Sequence, residues 1–201
     1  MLRRLAVSAM LAVLGAACGA PATEPALATA LTEEQMMQQM TELGTPGPAH
    51  ARLTSLVGNW TVKCEAFTAP DAPPTISEGR ATCSLELGGR FVMQQFESDF
   101  PGMPFHGVSY LGYDNLSQTY QNFWIDSMAT GMMPISSGTA DATGTVLTLR
   151  RAFVDPMMRQ PAFSREVLTI HGPDHHTFEW HQGPTAGGEG LMMRLDYTRA
   201  K

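Results

Sequence analysis

Tyr120-Gln121-Asn122-Phe123-Trp124-Ile125-Asp126 is the stretch on which the fold turns. Its composition suits an extended strand, yet alternate positions give two mixed rows, with Tyr120, Asn122, Trp124 and Asp126 on one face and Gln121, Phe123 and Ile125 on the other. A strand in a solid sandwich core would show one dry row. A strand in a barrel whose inner face lines a partly polar cavity would show this mixture, and so would an irregular edge strand. In the barrel reading, Tyr120, Asn122, Trp124 and Asp126 place aromatic rings, an amide and an acid along one cavity wall. These four, with Arg90, are the candidate ligand-binding residues; the competing account of the row is a satisfied structural network.

The texture around this stretch is the same from Trp60 to Arg199, with short alternating segments separated by Gly, Pro, Asp and Asn. About ten strands are expected, centred on Thr61–Ala66, Gly79–Leu87, Phe91–Ser98, His106–Tyr113, Tyr120–Ile125, Met133–Thr139, Val146–Phe153, Arg165–His171, Thr177–Gln182 and Leu191–Arg199. Asp114-Asn115, Asp141-Ala142-Thr143-Gly144 and Gly172-Pro173-Asp174 supply turn chemistry for tight hairpins. No connection is long enough for a crossover helix, which disfavours a parallel α/β sheet. The fold class expected is all-β, an antiparallel up-and-down barrel of about ten strands with a short N-terminal helical segment.

The N-terminus has a different character. Arg3 and Arg4 precede an apolar run from Leu5 to Leu14, and Gly15-Ala16-Ala17-Cys18 ends it with small residues. This is the form of a bacterial secretory signal, and a cysteine at that point suggests lipidation at Cys18. Gly15 stands where such signals usually place Leu, so ordinary cleavage after Ala22 or Ala28 stays open. The expected division is a signal peptide at 1–17, a flexible tether at 18–31, a helical segment at 32–57 and the barrel at 58–201. Thr32-Glu33-Glu34-Gln35 is a capping-box pattern that opens a helix ending at Gly44, with a further turn or two from Ala49 to Leu56. The expected location is the periplasm, anchored to the outer membrane through Cys18.

Export bears on the other two cysteines. Cys64 and Cys83 form an even pair flanking the loop Pro70-Asp71-Ala72-Pro73-Pro74, so a disulfide between them, contributing roughly 3 kcal/mol, is expected in an oxidising compartment. Two buried free thiols are the alternative. The chain carries 13 basic and 19 acidic residues, a formal charge of −6, and removal of the signal with its two arginines makes it more negative. No Lys/Arg cluster interrupts that balance, which excludes nucleic acid and anionic lipid surfaces as main partners. Membrane contact is expected only through the N-terminal lipid.

Gly58-Asn59-Trp60 at the start of the first strand, with Arg199 near the end of the last, resembles the calycin arrangement, in which a basic residue from the final strand packs on the tryptophan and closes the barrel. Gly58, Trp60 and Arg199 are therefore assigned structural roles. The order of Gly88-Gly89-Arg90-Phe91, Pro104-Phe105-His106-Gly107, Gly112-Tyr113-Asp114, Trp124-Ile125-Asp126-Ser127 and Tyr197-Thr198-Arg199 resembles the bacterial family catalogued as domain of unknown function 1579. That resemblance covers roughly Leu53 to Arg199. It implies a calycin-like, lipocalin-like barrel with no agreed substrate, and brings no catalytic residues with it.

Other constellations weigh less. His171, His175, His176 and His181 gather near one turn, but their spacing matches no standard metal motif. Fourteen methionines occur largely in doublets, Met36-Met37, Met132-Met133, Met157-Met158 and Met192-Met193, which suit adaptable packing or a pliable lining for a greasy ligand better than copper. There is no Gly-x-Ser-x-Gly and no phosphate loop. No metal, cofactor or catalytic residue is assigned. The function expected is binding of a small apolar or amphipathic molecule inside the barrel. The alternatives are an enzyme with Asp126 or Glu179 as general base assisted by Arg90, and a structural or interaction module of the envelope.

Overall fold

A computed structural model describes residues 30–68, 72–100, 102–184 and 188–201. The expected signal peptide, Cys18 and most of the tether lie outside these residues. The helical segment comprises α1 (Glu33–Gly44), α2 (Pro48–Leu53) and a 3-10 turn at Thr54–Leu56. Ten strands follow: β1 (Gly58–Ala66), β2 (Thr75–Glu86), β3 (Phe91–Phe100), β4 (Met103–Asp114), β5 (Thr119–Asp126), β6 (Ser136–Ala140), β7 (Val146–Val154), β8 (Pro161–Gly172), β9 (His175–Gly183) and β10 (Gly190–Arg199). All pair antiparallel with their sequence neighbours, and β10 pairs with β1, so the sheet is a closed barrel.

Alternation sets the inside. Along β7, Leu147, Leu149, Arg151 and Phe153 are buried while Thr148, Arg150, Ala152 and Val154 are more accessible; in β1 the inward row is Trp60, Val62 and Cys64. β5 is paired with β4 along its whole length but with β6 only through Tyr120–Asn122. It is thus a barrel strand whose second half borders a loop, and both readings of its mixed rows hold in part.

The end where β1 begins and β10 finishes is the base, and it is sealed. Leu53 and Leu56, delivered by α2 and the 3-10 turn, are buried against Trp60 and Tyr120. Trp60 Nε1 donates to the Leu56 carbonyl at 2.9 Å, and the Arg199 guanidinium lies 4.3 Å from the Trp60 ring. Arg199 donates to the carbonyls of Val57, Ser55 and Pro173 and to the Asp174 carboxylate. One side chain thus joins the first strand's entry, the final strand and the β8–β9 turn. Gly58 permits it: its φ is +134°, and a Cβ there would stand 2.3 Å from Arg199 Nη1. α1 begins with the expected capping box of Thr32 and Gln35 but has no buried residue. It is fastened at its C-terminal end, where Asn115 Nδ2 donates to the carbonyls of Glu42, Leu43 and Thr45. The covering of the base therefore belongs to α2 and the 3-10 turn.

The expected Cys64–Cys83 disulfide is not formed; both are buried free thiols. The register explains it. Cys64 faces Ser77 across the β1–β2 hairpin and Cys83 faces Gly58, so the two lie six residues apart along the strands, about 20 Å. A disulfide needs Cα atoms within about 7 Å.

Replacing Arg199 by Ala removes a shielded cation–π contact and a set of charge-assisted hydrogen bonds. It should lower unfolding free energy by about 3 kcal/mol. Arg199→Lys, keeping the charge but not the planar fork, should fall between. Urea midpoints at unchanged m-value check both.

Candidate functional site

Above the base the barrel is hollow. The interior cavity measures about 520 Å³, within the range of small-molecule sites, and opens at the end opposite the base. Its walls are largely aromatic and aliphatic, including Phe96, Phe105, Trp124, Leu149, Phe178 and Leu195. Phe96, Phe105 and Trp124 form a cluster with ring centroids 6.0 to 6.5 Å apart. Trp124 can lie flat on the wall because position 107 is glycine; a Cβ there would come within 2.2 Å of the indole.

Three of the sequence-derived candidates meet here. Asn122, Trp124 and Asp126 line the cavity from β5. Trp124 Nε1 donates to Asp126 Oδ2 at 2.7 Å, and the Met128 amide donates to Oδ1 at 2.9 Å, so this carboxylate caps the strand's exit. Tyr120, on the same row, is buried at the base, its ring edge-on to Tyr113 and its hydroxyl donating to the Ala49 carbonyl at 3.3 Å. Arg90 is not on this wall. It sits at the β2–β3 turn, donates to the Leu87 carbonyl, and borders a separate pocket of about 250 Å³ beneath the end of α1. Arg90 and Asp126 lie at opposite ends of the barrel, and Glu179 is on the outer row of β9 beside His181 and Arg194. The acid–base grouping considered from sequence is therefore not assembled.

A polar knot missed by sequence reasoning occupies the wall formed by β5 to β8. Arg151 and Glu166 form a salt bridge whose side chains are 6% and 1% exposed. Glu166 also accepts from Asn122 Nδ2 at 3.0 Å and Ser136 Oγ at 2.8 Å. Arg151 also donates to Ser164 Oγ and to the Pro134 carbonyl. An ion pair this deep persists only with such satisfaction, since removing one partner strands a buried charge at a cost of about 3–5 kcal/mol. Burial pulls the Arg151 pKa below its ordinary value, and the neighbouring Glu166 carboxylate offsets only part of that fall. The signal was available: Arg151 falls in the row Leu147, Leu149, Phe153, where a charge must find a partner.

Nearer the base, His176 stacks on Tyr197 at 4.2 Å and meets Trp60 edge-on at 4.4 Å. Burial, then the neighbouring His175 and Arg199, push its pKa down to about 3, so the imidazole is neutral. Burial likewise pushes the Cys83 thiol up to about 12, against a smaller opposing pull from Arg199, and raises Cys64 and Tyr197. The cavity's two thiols are thus protonated and poorly nucleophilic. His171 and His175 stack at the β8–β9 turn, His171 bonding Thr177 and His175 facing Asp196. Trp180 Nε1 is the buried side-chain polar atom left without a partner among the described residues, enclosed near Phe153.

The family model described as Protein of unknown function (DUF1579) matches residues 45–199. No curated protein matches the sequence. Among solved structures, the chain is similar to Rv2717c from M. tuberculosis, with TM-score 0.55 and 17% identity over 78% of this chain and all of that one. It is also similar to the S-type phycobiliprotein lyase CPES from Guillardia theta, with TM-score 0.53 and 13% identity over 78% of this chain and 99% of that one. At these identities the likeness is one of fold.

Two outcomes follow from the wall's ionisable groups. The unfolded imidazole of residue 176 takes up a proton near pH 6.5 and the folded one only near 3. The unfolded state then binds more protons between those values, so stability should fall as pH drops through that window and be level on this account above it. His176→Phe, measured by urea unfolding from pH 7.5 to 4.5, should flatten that slope. Asp141, held down to about 2 by Thr143 and backbone amides, keeps its full contribution across that range and loses it only below about pH 4. Separately, Glu166→Leu should destabilise by about 3 kcal/mol or more, and adding Arg151→Met should recover much of it; a double variant no better than the single would contradict the pairing.

Proposed function

This chain belongs to the family described as Protein of unknown function (DUF1579), and we propose that it binds a small apolar or amphipathic molecule inside its barrel. The observation that carries the reading is the hollow interior of about 520 Å³, walled by aromatic and aliphatic side chains and open at one end. A protein that used its sheet only as scaffold would gain stability by filling that space, because close packing is worth about 0.8 kcal/mol per buried methylene. The ligand's apolar body would lie against Phe96, Phe105, Trp124 and Phe178. Its polar atoms would face Asn122 and the Arg151–Glu166 knot. Since that knot pairs one cation with one anion, it adds no net charge to the wall, which favours a neutral ligand over a free acid.

Export and anchoring through a lipid on Cys18 are part of the same proposal. They rest on the sequence of the first eighteen residues, Arg3-Arg4, the apolar run and the terminal cysteine. In that setting the protein would hold an apolar molecule within the periplasm, at the outer membrane.

N-phenyl-1-naphthylamine, a neutral apolar dye, should bind saturably with micromolar affinity and brighten when excited directly. Leu111→Trp, which fills part of the void from β4, should weaken binding at least tenfold without lowering the melting temperature. A folded protein that shows no saturable dye binding, and whose organic extract holds no co-purified molecule, would overturn the proposal.

A further inference from the structure

Two of the four methionine doublets, Met132-Met133 and Met157-Met158, are brought to one end of the barrel by topology. The β5–β6 and β7–β8 connections lie at the open end and carry Met128, Met132, Met157 and Met158, and Met103 starts β4 at the same end, each more than half exposed. Met157 is 87% exposed and Met132 76%. Ile135, beside them, is 56% exposed. Met128 and Met157 also line the cavity, so apolar side chains reach from the outside of the mouth to the interior wall. A cluster of exposed apolar side chains around an opening of this kind marks a candidate interaction surface.

Charge decides what that surface fits. The segment Ser127-Met128-Ala129-Thr130-Gly131-Met132-Met133-Pro134-Ile135 holds no ionisable side chain. The β7–β8 connection has one anion and one cation, Asp155 and Arg159. The Asp155 carboxylate is turned inward on its own loop, accepting from the Met157 and Met158 amides and from Gln182. Two loops without net charge on a chain of charge −6 suit a neutral, zwitterionic interface better than an anionic one. Flexible thioether side chains suit a surface that must adapt to disordered acyl chains.

We infer that the open mouth of the barrel docks on the surface of a zwitterionic lipid bilayer, inserting the β5–β6 and β7–β8 loops at the headgroup boundary so that the cavity opens toward the lipid. This rests on the proposed binding of an apolar ligand, because such a molecule partitions into membranes and would enter the cavity there without crossing water. It adds a contact to the N-terminal anchor, which was the sole membrane contact expected from sequence.

The test uses the full chain carrying Cys18→Ser, so that no lipid is attached there, with and without Met132→Ser, Ile135→Ser and Met158→Ser together. None of these three side chains lines the cavity. In flotation with phosphatidylcholine vesicles the parent should rise with the lipid, and the triple variant's partition should fall at least tenfold. Equal flotation of the two, or flotation of neither, overturns docking by the mouth. A parent that sediments as a dimer without vesicles, and a triple variant that does not, makes a second copy the occupant and also overturns it. Dye binding is read on the same two proteins. Its retention in both shows that the barrel is intact, whereas its absence from a folded parent defeats the ligand proposal and not the flotation result.

Discussion

The seam between β1 and β10 is the constraint from which the rest follows. A ten-strand sheet left open would coil and expose two edges; paired at Trp60–Arg199 through Ala66–Met193, it must enclose a volume wider than its side chains fill. Arg199 secures that seam at its weakest point, where the strands leave the sheet. Its planar fork reaches carbonyls from two chain segments, Ser55 and Val57 before β1 and Pro173 in the β8–β9 turn, while its face covers Trp60, and Trp60 in turn abuts His176. Lysine offers neither the fork nor the stacked face.

Closing one end and leaving the other open divides the molecule mechanically. At the base, buried aromatic rings, α2 and saturated hydrogen bonds hold each group in one arrangement. At the mouth, the connections are longer and their apolar side chains have few neighbours, the pattern of local contacts that opens at low free-energy cost. Rigid walls with a yielding entrance would let the proposed ligand enter without unfolding the sheet.

The fold was legible in the sequence because its signals are local. Hairpin turns such as Asp141–Gly144 and alternating rows such as β7 are written in consecutive residues, and ten strands overlap the expected segments, although β6 begins at Ser136 rather than Met133 and β2 and β8 each begin four residues earlier than expected. Pairings were less legible because they depend on register. The cysteines flank their loop almost symmetrically, but the hairpin turns about a point three residues nearer Cys64, and that offset, doubled across the pair, separates the thiols by six. The Asn122, Trp124 and Asp126 wall followed from parity within one strand. The Arg151–Glu166 knot needed parity carried across β5 to β8 together, and the methionine rim needed knowledge of which connections share an end. Arg90 carried a suggestive charge but belongs to a base turn, a distinction that alternation inside strands does not draw.

The knot also bears on why the interior is not uniformly greasy. Replacing Arg151 and Glu166 by aliphatic residues would cost little stability, since buried ion pairs rarely exceed their desolvation penalty. What the pair provides is orientation. Four strands deliver its members, Asn122 from β5, Ser136 from β6, Arg151 from β7, and Ser164 and Glu166 from β8. Each hydrogen bond fixes a register that apolar contacts alone would let slide. The same directional groups stand on a largely apolar wall, where Asn122 would meet the proposed ligand's polar atom on one side while Glu166 holds it on the other. An apolar surface gives a ligand affinity but many poses; a fixed amide beside a neutral ion pair reduces them to few.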